Sequence, residues 1–256
     1  MGKSSLKTYL KLCTEFYDLE PHPNHTEALN FYIQKAYEAK GPILEPMCGT
    51  GRFLIPMLEE NLDVEGFDAS EYMLDALRKK LSNINKKSPS IWQQFVQDFN
   101  NNKFYNLIFI PYGSFGLITN IEDIKKGLIT LYKHLTSDGK FIVEIETEAS
   151  VNQPLNVWSR SLSNKSDGSK IALNVFATYD KKTQIFQSTC RYESIINNQT
   201  KEVEEELFQQ YIYKSNEIDS LLQETGFKHI KKYPAYNNLQ SIRDNTPIII
   251  YECYKN

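Results

Sequence analysis

The chain has 256 residues, of which 41% are hydrophobic and 24% are charged. This length and composition are those of one globular unit with a sizeable core and room for an elaboration. The formal net charge is -3 and the lysines are scattered, so no basic stripe indicates a nucleic-acid partner.

The cysteines and the N-terminus indicate the expected compartment. The four cysteines are far apart and lack metal-ligand spacing, so reduced thiols are expected; they are Cys13, Cys48, Cys190 and Cys253. No segment resembles a signal peptide or a membrane span. The MGKSSLK start fits a myristoylation pattern, but no second membrane signal follows it. We expect a soluble, cytoplasmic protein.

The first forty residues predict a helical cap ahead of the core. Helical patterns cover residues 6–17 and 25–39, and the string EPHPN separates them. Its two prolines favour a turn, because proline cannot continue a helix.

Residues 41–147 predict an alternating core. The string ILEPMCGTGRFL (residues 43–54) reads as a short strand followed by a glycine loop. Alternation of strands with helices is typical of a parallel sheet with covering helices. Further strands are expected over residues 63–68, 91–97, 105–111 and 140–145, and helices over residues 70–80 and 121–135.

The glycine loop distinguishes two kinds of nucleotide site. A dinucleotide fold needs three glycines so that backbone amides approach a pyrophosphate, and a carboxylate ahead of them would repel it. Here only Gly49 and Gly51 are present, Phe53 follows them, and Glu45 precedes them. Glu45 suits a ligand that presents an ammonium group. Read alone, a GxG tripeptide is more often a simple turn.

Acids also follow the next two predicted strands, at Asp68 and at Asp98. Alone, Asp68 or Ser70 could be a helix N-cap. Together with the loop, these residues make the chain resemble the class I S-adenosylmethionine-dependent methyltransferases. The resemblance implies an α/β, Rossmann-like fold with a seven-stranded, mostly parallel sheet flanked by helices. It also implies S-adenosylmethionine as the cofactor.

The resemblance assigns roles to individual residues. Asp68 corresponds to the acid that accepts from the ribose hydroxyls, and Asp98 to the acid that receives the adenine amine. Residues packing near the adenine would be Ala69, Met73 and Phe99. Tyr17 resembles a cap tyrosine that closes over the cofactor, and Cys48 is expected as a small side chain beneath it rather than as a nucleophile. Met47 departs from the family, because it stands where the first glycine usually lies.

The pattern changes over residues 148–214. Period-2 runs separated by SDGS, YDKKTQ and NNQT predict an antiparallel β-meander from about residue 156. It resembles the β-sheet that bacterial small-molecule methyltransferases carry between strands five and six. Both of its sides bear apolar residues, so one side packs on the core and the other either roofs the substrate pocket or forms a dimer interface.

Residues 215–256 return to the core pattern. A helix is expected over residues 215–226, ended by Gly226, and strands over residues 227–236 and 246–254. In the family such strands form the hairpin that closes the sheet, with the last strand antiparallel to the others.

Methyl transfer is an in-line displacement from an activated sulfonium, so a dedicated base is not obligatory for an amine that arrives neutral. Where a base is needed, the candidates near the carboxyl ends of the strands or in the cap are Tyr112, Glu146, His22 and His25. No metal site is expected, because PYGSFGLITN presents no acid before Glu122.

The sequence therefore predicts a methyltransferase that acts on a small molecule, with an amine preferred over a hydroxyl, as a monomer or a homodimer without nucleic-acid or membrane partners. Two alternatives stay open. One is a non-catalytic cofactor-binding or regulatory protein on the same fold. The other is an NAD-dependent oxidoreductase, which the missing third glycine and Glu45 disfavour.

Overall fold

The computed structural model describes residues 6–151, 154–214, 216–236 and 240–255. Its helices in these ranges are α1 (Lys11–Leu19), α2 (His25–Ala39), α3 (Leu54–Glu59), α4 (Glu71–Leu81), α5 (Ile121–Lys133) and α6 (Glu217–Thr225). Its strands are β1 (Ile43–Pro46), β2 (Val64–Asp68), β3 (Ile91–Gln93), β4 (Tyr105–Ile110), β5 (Leu135–Glu146), β6 (Trp158–Asn164), β7 (Lys170–Asp180), β8 (Ile185–Ile196), β9 (Gln199–Tyr211), β10 (His229–Pro234) and β11 (Ile248–Tyr254).

The main sheet has seven strands in the order β10-β11-β5-β4-β1-β2-β3. The strands from β5 to β3 pair in parallel, whereas β11 is antiparallel to both of its neighbours. Strand β1 is buried along its whole length, as expected for a parallel strand covered on both faces. Helices α2, α3 and α4 pack on one face, and α5 and α6 on the other. The predicted fold class is confirmed.

Local signals explain where several helices begin and end. Ser70 caps α4, because its hydroxyl accepts from the Met73 N–H at 3.2 Å. Asn120 caps α5 in the same way through the Glu122 N–H at 2.9 Å. Gly226 ends α6 in the left-handed conformation with φ +119°.

Three predicted boundaries are corrected. Helix α1 begins at Lys11 rather than at residue 6. Strand β3 ends at Gln93 rather than at residue 97, because Gln93 pairs with Asp68, the last residue of β2, and no strand of the described ranges pairs with β3 beyond it. Strand β5 begins at Leu135 rather than at residue 140, and so includes the TSDGK segment. Its pairing with β4 shifts in register between Tyr105 and Leu107.

The predicted meander forms a separate four-stranded antiparallel sheet in the order β6-β7-β8-β9. Helix α1 packs on one of its faces, where buried apolar residues from both elements form a small core of their own. These residues are Leu12, Cys13, Phe16, Ile171, Cys190 and Tyr192. The four-part division of the chain proposed from the sequence stays a prediction.

Within the described ranges, the helices are too short or too polar for any of them to cross a membrane.

Candidate functional site

A cavity of about 520 Å³ opens where the parallel strands end. Its wall includes Met47 and Gly49 after β1, Asp68 and Ala69 after β2, residues 94–97 after β3, and Tyr112 after β4. The crevice at the carboxyl ends of the strands is where open α/β sheets bind ligands. The volume is within the range of small-molecule and cofactor sites.

The glycine loop takes left-handed backbone conformations at three positions. Gly49 has φ +53° and Gly51 has φ +86°. A Cβ on Gly51 would come within 2.4 Å of Leu77 Cδ1, whereas one on Gly49 would meet only Met73 Sδ at 4.0 Å. Met47 has φ +59°, so this residue adopts the conformation that a glycine would take more easily, at a cost of about 1 kcal/mol.

Asp68 ties the loop to the end of β2. Its Oδ2 accepts from the Gly49 N–H at 2.8 Å and its Oδ1 from the Ser70 N–H at 2.8 Å. Burial raises the pKa of Asp68, and these backbone donors oppose the rise. A carboxylate has about four acceptor positions, so lone pairs remain for a ligand's hydroxyl groups.

Glu45 is a buried acid with an unused acceptor. Only 2% of the residue is exposed, and its Oε2 has no hydrogen-bond partner among the described residues. Burial and the nearby charge of Asp68 hold the pKa of Glu45 well above its usual range. A buried acceptor without a partner is costly, so the arrangement fits a ligand that brings an ammonium group. Glu45 itself is not part of the cavity wall.

These features fit S-adenosylmethionine. Asp68 offers acceptors for a ribose, Glu45 a carboxylate oxygen for an ammonium, and Gly49 open space beside the loop.

The structure separates the predicted cofactor residues into two groups. Those that line the cavity are Tyr17, Gly49, Asp68, Ala69 and Met73. Those that do not line it are Glu45, Cys48, Gly51, Asp98 and Phe99. Cys48 is buried, and that burial raises the pKa of its thiol well above the usual value. An unreactive thiol is thereby favoured over a nucleophile.

The structure does not bring Asp98 and Phe99 to the cavity. The Asp98 carboxylate lies on the surface and accepts from Lys126 Nζ at 2.6 Å. Phe99 is buried in the core, with its ring centroid 4.9 Å from that of Phe67. The predicted positions are corrected because β3 ends four residues earlier than expected. The residues after this strand that line the cavity are Gln94, Phe95, Val96 and Gln97.

Tyr17 closes one side of the cavity from helix α1. The Arg52 guanidinium lies 3.8 Å from the centroid of the Tyr17 ring. Arg52 also donates to the carbonyl oxygens of Tyr17 and Glu20, the latter at 2.6 Å. Burial raises the pKa of Tyr17 to about 12, so its hydroxyl is protonated at neutral pH.

The segment ahead of α1 also lines the cavity, which the sequence interpretation missed. The Tyr9 carbonyl accepts from the Ser70 hydroxyl at 2.6 Å. The predicted helix at residues 6–17 concealed this contact, because a helical segment would have used that carbonyl internally.

Three of the four candidate bases lie together. Tyr112 has φ +57°, its hydroxyl is 2.6 Å from His25 Nδ1, and its ring stacks on that of His22 with centroids 3.7 Å apart. Tyr112 and His22 line the cavity, whereas His25 lies outside its wall. Burial lowers the pKa of both histidines, to about 4 for His22. Glu146 does not line the cavity.

Glu144 is a further residue of this region that the sequence interpretation missed. It is fully buried and accepts from the hydroxyls of Tyr32 at 2.9 Å and Tyr236 at 3.0 Å. Against the larger effect of burial, the nearby Tyr112 backbone N–H lowers the pKa of Glu144. The available signal was an acid inside the apolar run FIVEIE.

Glu144→Gln is expected to flatten the pH dependence of stability. Burial raises the pKa of Glu144 from 4.5 to about 7. Between these values the unfolded chain releases a proton that the folded chain keeps, so the folded state loses stability as pH rises, by about 3 kcal/mol at most. Urea unfolding should show that the free energy of unfolding falls less between pH 5 and pH 8 in the variant than in the wild type. Equal losses in both proteins would contradict the assignment.

The strand order, the glycine loop after the first strand and the acid after the second define a Rossmann-like methyltransferase fold. Residues 44–141 match a family model described as a methyltransferase domain. The match covers less than half of the chain, so it shows a likeness to that domain over these residues. A search of curated proteins found no match.

Solved structures agree with this fold over nearly the whole chain. An S-adenosylmethionine-dependent methyltransferase from Clostridium acetobutylicum is 18% identical, with 94% of each chain covered and a TM-score of 0.77. The CcbJ methyltransferase from Streptomyces caelestis is 17% identical, with 96% of this chain and 97% of that chain covered and a TM-score of 0.78. The sugar N-methyltransferase KedS8 from Streptoalloteichus is 12% identical, with 98% of each chain covered and a TM-score of 0.74.

The predicted methyltransferase class is borne out by the domain match, and the solved structures agree with its fold.

Proposed function

We propose that the protein transfers a methyl group from S-adenosylmethionine to a small molecule, with an amine preferred over a hydroxyl as acceptor. The observation that carries this proposal is the cavity itself. It combines Gly49 and Asp68 with a wall contributed by Leu207, Phe208 and Gln209 of the inserted sheet, and such an enclosure excludes water from a displacement reaction.

We assign the cofactor contacts as follows. Asp68 would accept from the ribose hydroxyls, and Glu45 would meet the ammonium group. Met73, Phe95 and Val96 would contact the adenine, in place of the predicted Asp98 and Phe99. When bound, S-adenosylmethionine supplies a methyl group on a positively charged sulfur, which is already activated for displacement.

The preference for an amine rests on the weakness of the available bases. Burial lowers the pKa of His22 to about 4, so its imidazole is neutral but a poor base for a hydroxyl group. A neutral amine needs no deprotonation before it reacts, so methyl transfer to it does not require a strong base. The N-methyltransferase activity in the name of the structural neighbour KedS8 is consistent with this preference.

A cytoplasmic location and a homodimer stay predictions. The contribution of β9 to the cavity wall supports the roof rather than the dimer interface as the role of one side of the inserted sheet.

Asp68→Asn is expected to weaken cofactor binding about ten- to hundred-fold, because a charged acceptor is lost at the ribose and at the loop. The measurement is calorimetric titration with S-adenosylmethionine and S-adenosylhomocysteine, with NADH as the control ligand. Asp98→Asn is the matched variant, and it should bind as wild type does because Asp98 lies on the surface. A stronger effect at Asp98, or tighter binding of NADH, would overturn the proposal.

A further inference from the structure

A second cavity, of about 450 Å³, adjoins the first. It lies between helix α1 and the inner face of the inserted sheet. The two cavities lie side by side and share five lining residues, which are Tyr9, Tyr17, His22, Leu117 and Phe208. We name this second cavity, with its wall of α1, residues 20–23 and strands β7, β8 and β9, the acceptor groove.

The wall of the acceptor groove is mainly apolar. Alternate residues of a strand lie on the same face of a sheet, and directly paired residues of neighbouring strands share that face. Val175 pairs with Cys190, and Ser188 pairs with Phe208, so these four residues lie on one face. The side chains of this face that line the groove include Leu173, Val175, Phe186, Tyr192 and Phe208. Helix α1 contributes Phe16 and Tyr17 from the opposite side. Phe16 already packs edge to face on Tyr192, with ring centroids 5.8 Å apart. A flat apolar body would therefore lie beside this contact, against Val175, Phe186 and Phe208.

The permanently charged basic group of the groove is already committed. Among the described residues that line it, the basic side chains are Arg52 and His22. Arg52 donates to two backbone carbonyl oxygens and stacks on Tyr17. The acid that lines the groove, Glu20, would repel an anion. Recognition of a diphosphate requires charged donors that can turn toward it, and this wall offers none.

We infer that the acceptor groove takes a primary or secondary amine with an aromatic or branched apolar body and no phosphate, its nitrogen at the Tyr17 and His22 end. This inference rests on the proposed function and narrows its substrate class. It excludes sugar nucleotides as acceptors, because such a molecule would place its phosphates against an apolar wall.

The test uses the whole protein saturated with S-adenosylhomocysteine, into which tryptamine, phenethylamine and uridine diphosphate glucosamine are titrated. At least one of the two aromatic amines should bind, and the sugar nucleotide should not bind at the same concentration. Turnover of the bound amine with S-adenosylmethionine is then measured as release of S-adenosylhomocysteine.

Neighbouring residues of β8 supply matched variants. Phe186 lines the groove, whereas Gln187 points to the opposite face of the sheet. Phe186→Asn should weaken amine binding about ten-fold, and Gln187→Asn should leave it unchanged. Titration with S-adenosylhomocysteine verifies that both variants are folded, since neither residue lines the first cavity.

The outcomes separate this inference from the proposed function. Binding of the sugar nucleotide in preference to both amines, absence of amine binding to the loaded protein, or equal amine binding by both variants would overturn the substrate class alone. Failure of wild-type protein to bind S-adenosylhomocysteine would instead overturn the proposed function.

Discussion

Gly51→Ala is expected to destabilise the protein by about 3 kcal/mol, because left-handed strain and a steric clash add together. Gly51 has φ +86°, and a methyl group there would lie 2.4 Å from Leu77 Cδ1 and 3.2 Å from Ile55 Cγ1. Leu77 belongs to the buried face of α4, so it can move only by displacing the core. Urea unfolding of the variant and of wild type measures the difference.

Gly49→Ala is the matched comparison. Its methyl group would meet only Met73 Sδ at 4.0 Å. The expected loss of stability is therefore only the cost of holding an alanine in the left-handed conformation, about 1 kcal/mol. Because Gly49 and Met73 both line the cavity, the methyl group should occupy cofactor space and weaken binding of S-adenosylhomocysteine. Equal stabilities of the two variants, or unchanged affinity in Gly49→Ala, would show that the loop differs from this description.

Glu206→Ala is expected to loosen the N-terminal cap and to weaken cofactor binding. Helix α1 has no side-chain cap of its own. Glu206 on β9 is 3% exposed, and its carboxylate accepts from the Tyr9 N–H at 2.7 Å and from the Leu10 N–H at 3.0 Å. Loss of this charged acceptor leaves two backbone donors without partners, at a cost of about 2 kcal/mol.

A loss of cofactor affinity is expected because the capped segment lines the cavity. Tyr9 precedes α1, Tyr17 lies on it, and both are part of the cavity wall. Calorimetric titration with S-adenosylhomocysteine and urea unfolding measure the two effects. Glu205→Ala is the control, since the exposed Glu205 lies on the other face of β9 and pairs with Arg191 at 2.9 Å. A loss in Glu205→Ala as large as that in Glu206→Ala would contradict the capping role.

The residues at the ends of the first two strands could be predicted from the local sequence pattern. Glu45, Gly49, Gly51 and Asp68 follow two strands whose apolar runs and turn residues are continuous in the sequence. Their relation was therefore predictable, because parallel strands bring their carboxyl ends to one edge of a sheet. The hairpin that closes the sheet was instead an implication of the resemblance to the methyltransferase family.

Asp98 shows where that reasoning fails. Its position after an apolar run suggested a third acid at the cavity, yet β3 stops at Gln93 because β2, its one partner in the described part of the chain, stops at Asp68. The length of an edge strand depends on its neighbour rather than on its own composition. The residues that reach the cavity, Phe95 and Val96 among them, were accordingly displaced by a few positions from the prediction.

Composition and periodicity by themselves determined the class of the fold, the order of its elements, the glycine loop with Asp68, and the antiparallel insertion, because each depends on residues close together in the chain. Only the tertiary structure decided the rest. Three features join residues 92 or more positions apart: the capping of α1 by Glu206, the hydrogen bonds that Glu144 accepts from Tyr32 and Tyr236, and the groove between α1 and the inserted sheet. Such contacts depend on how packed elements meet, which no local pattern records.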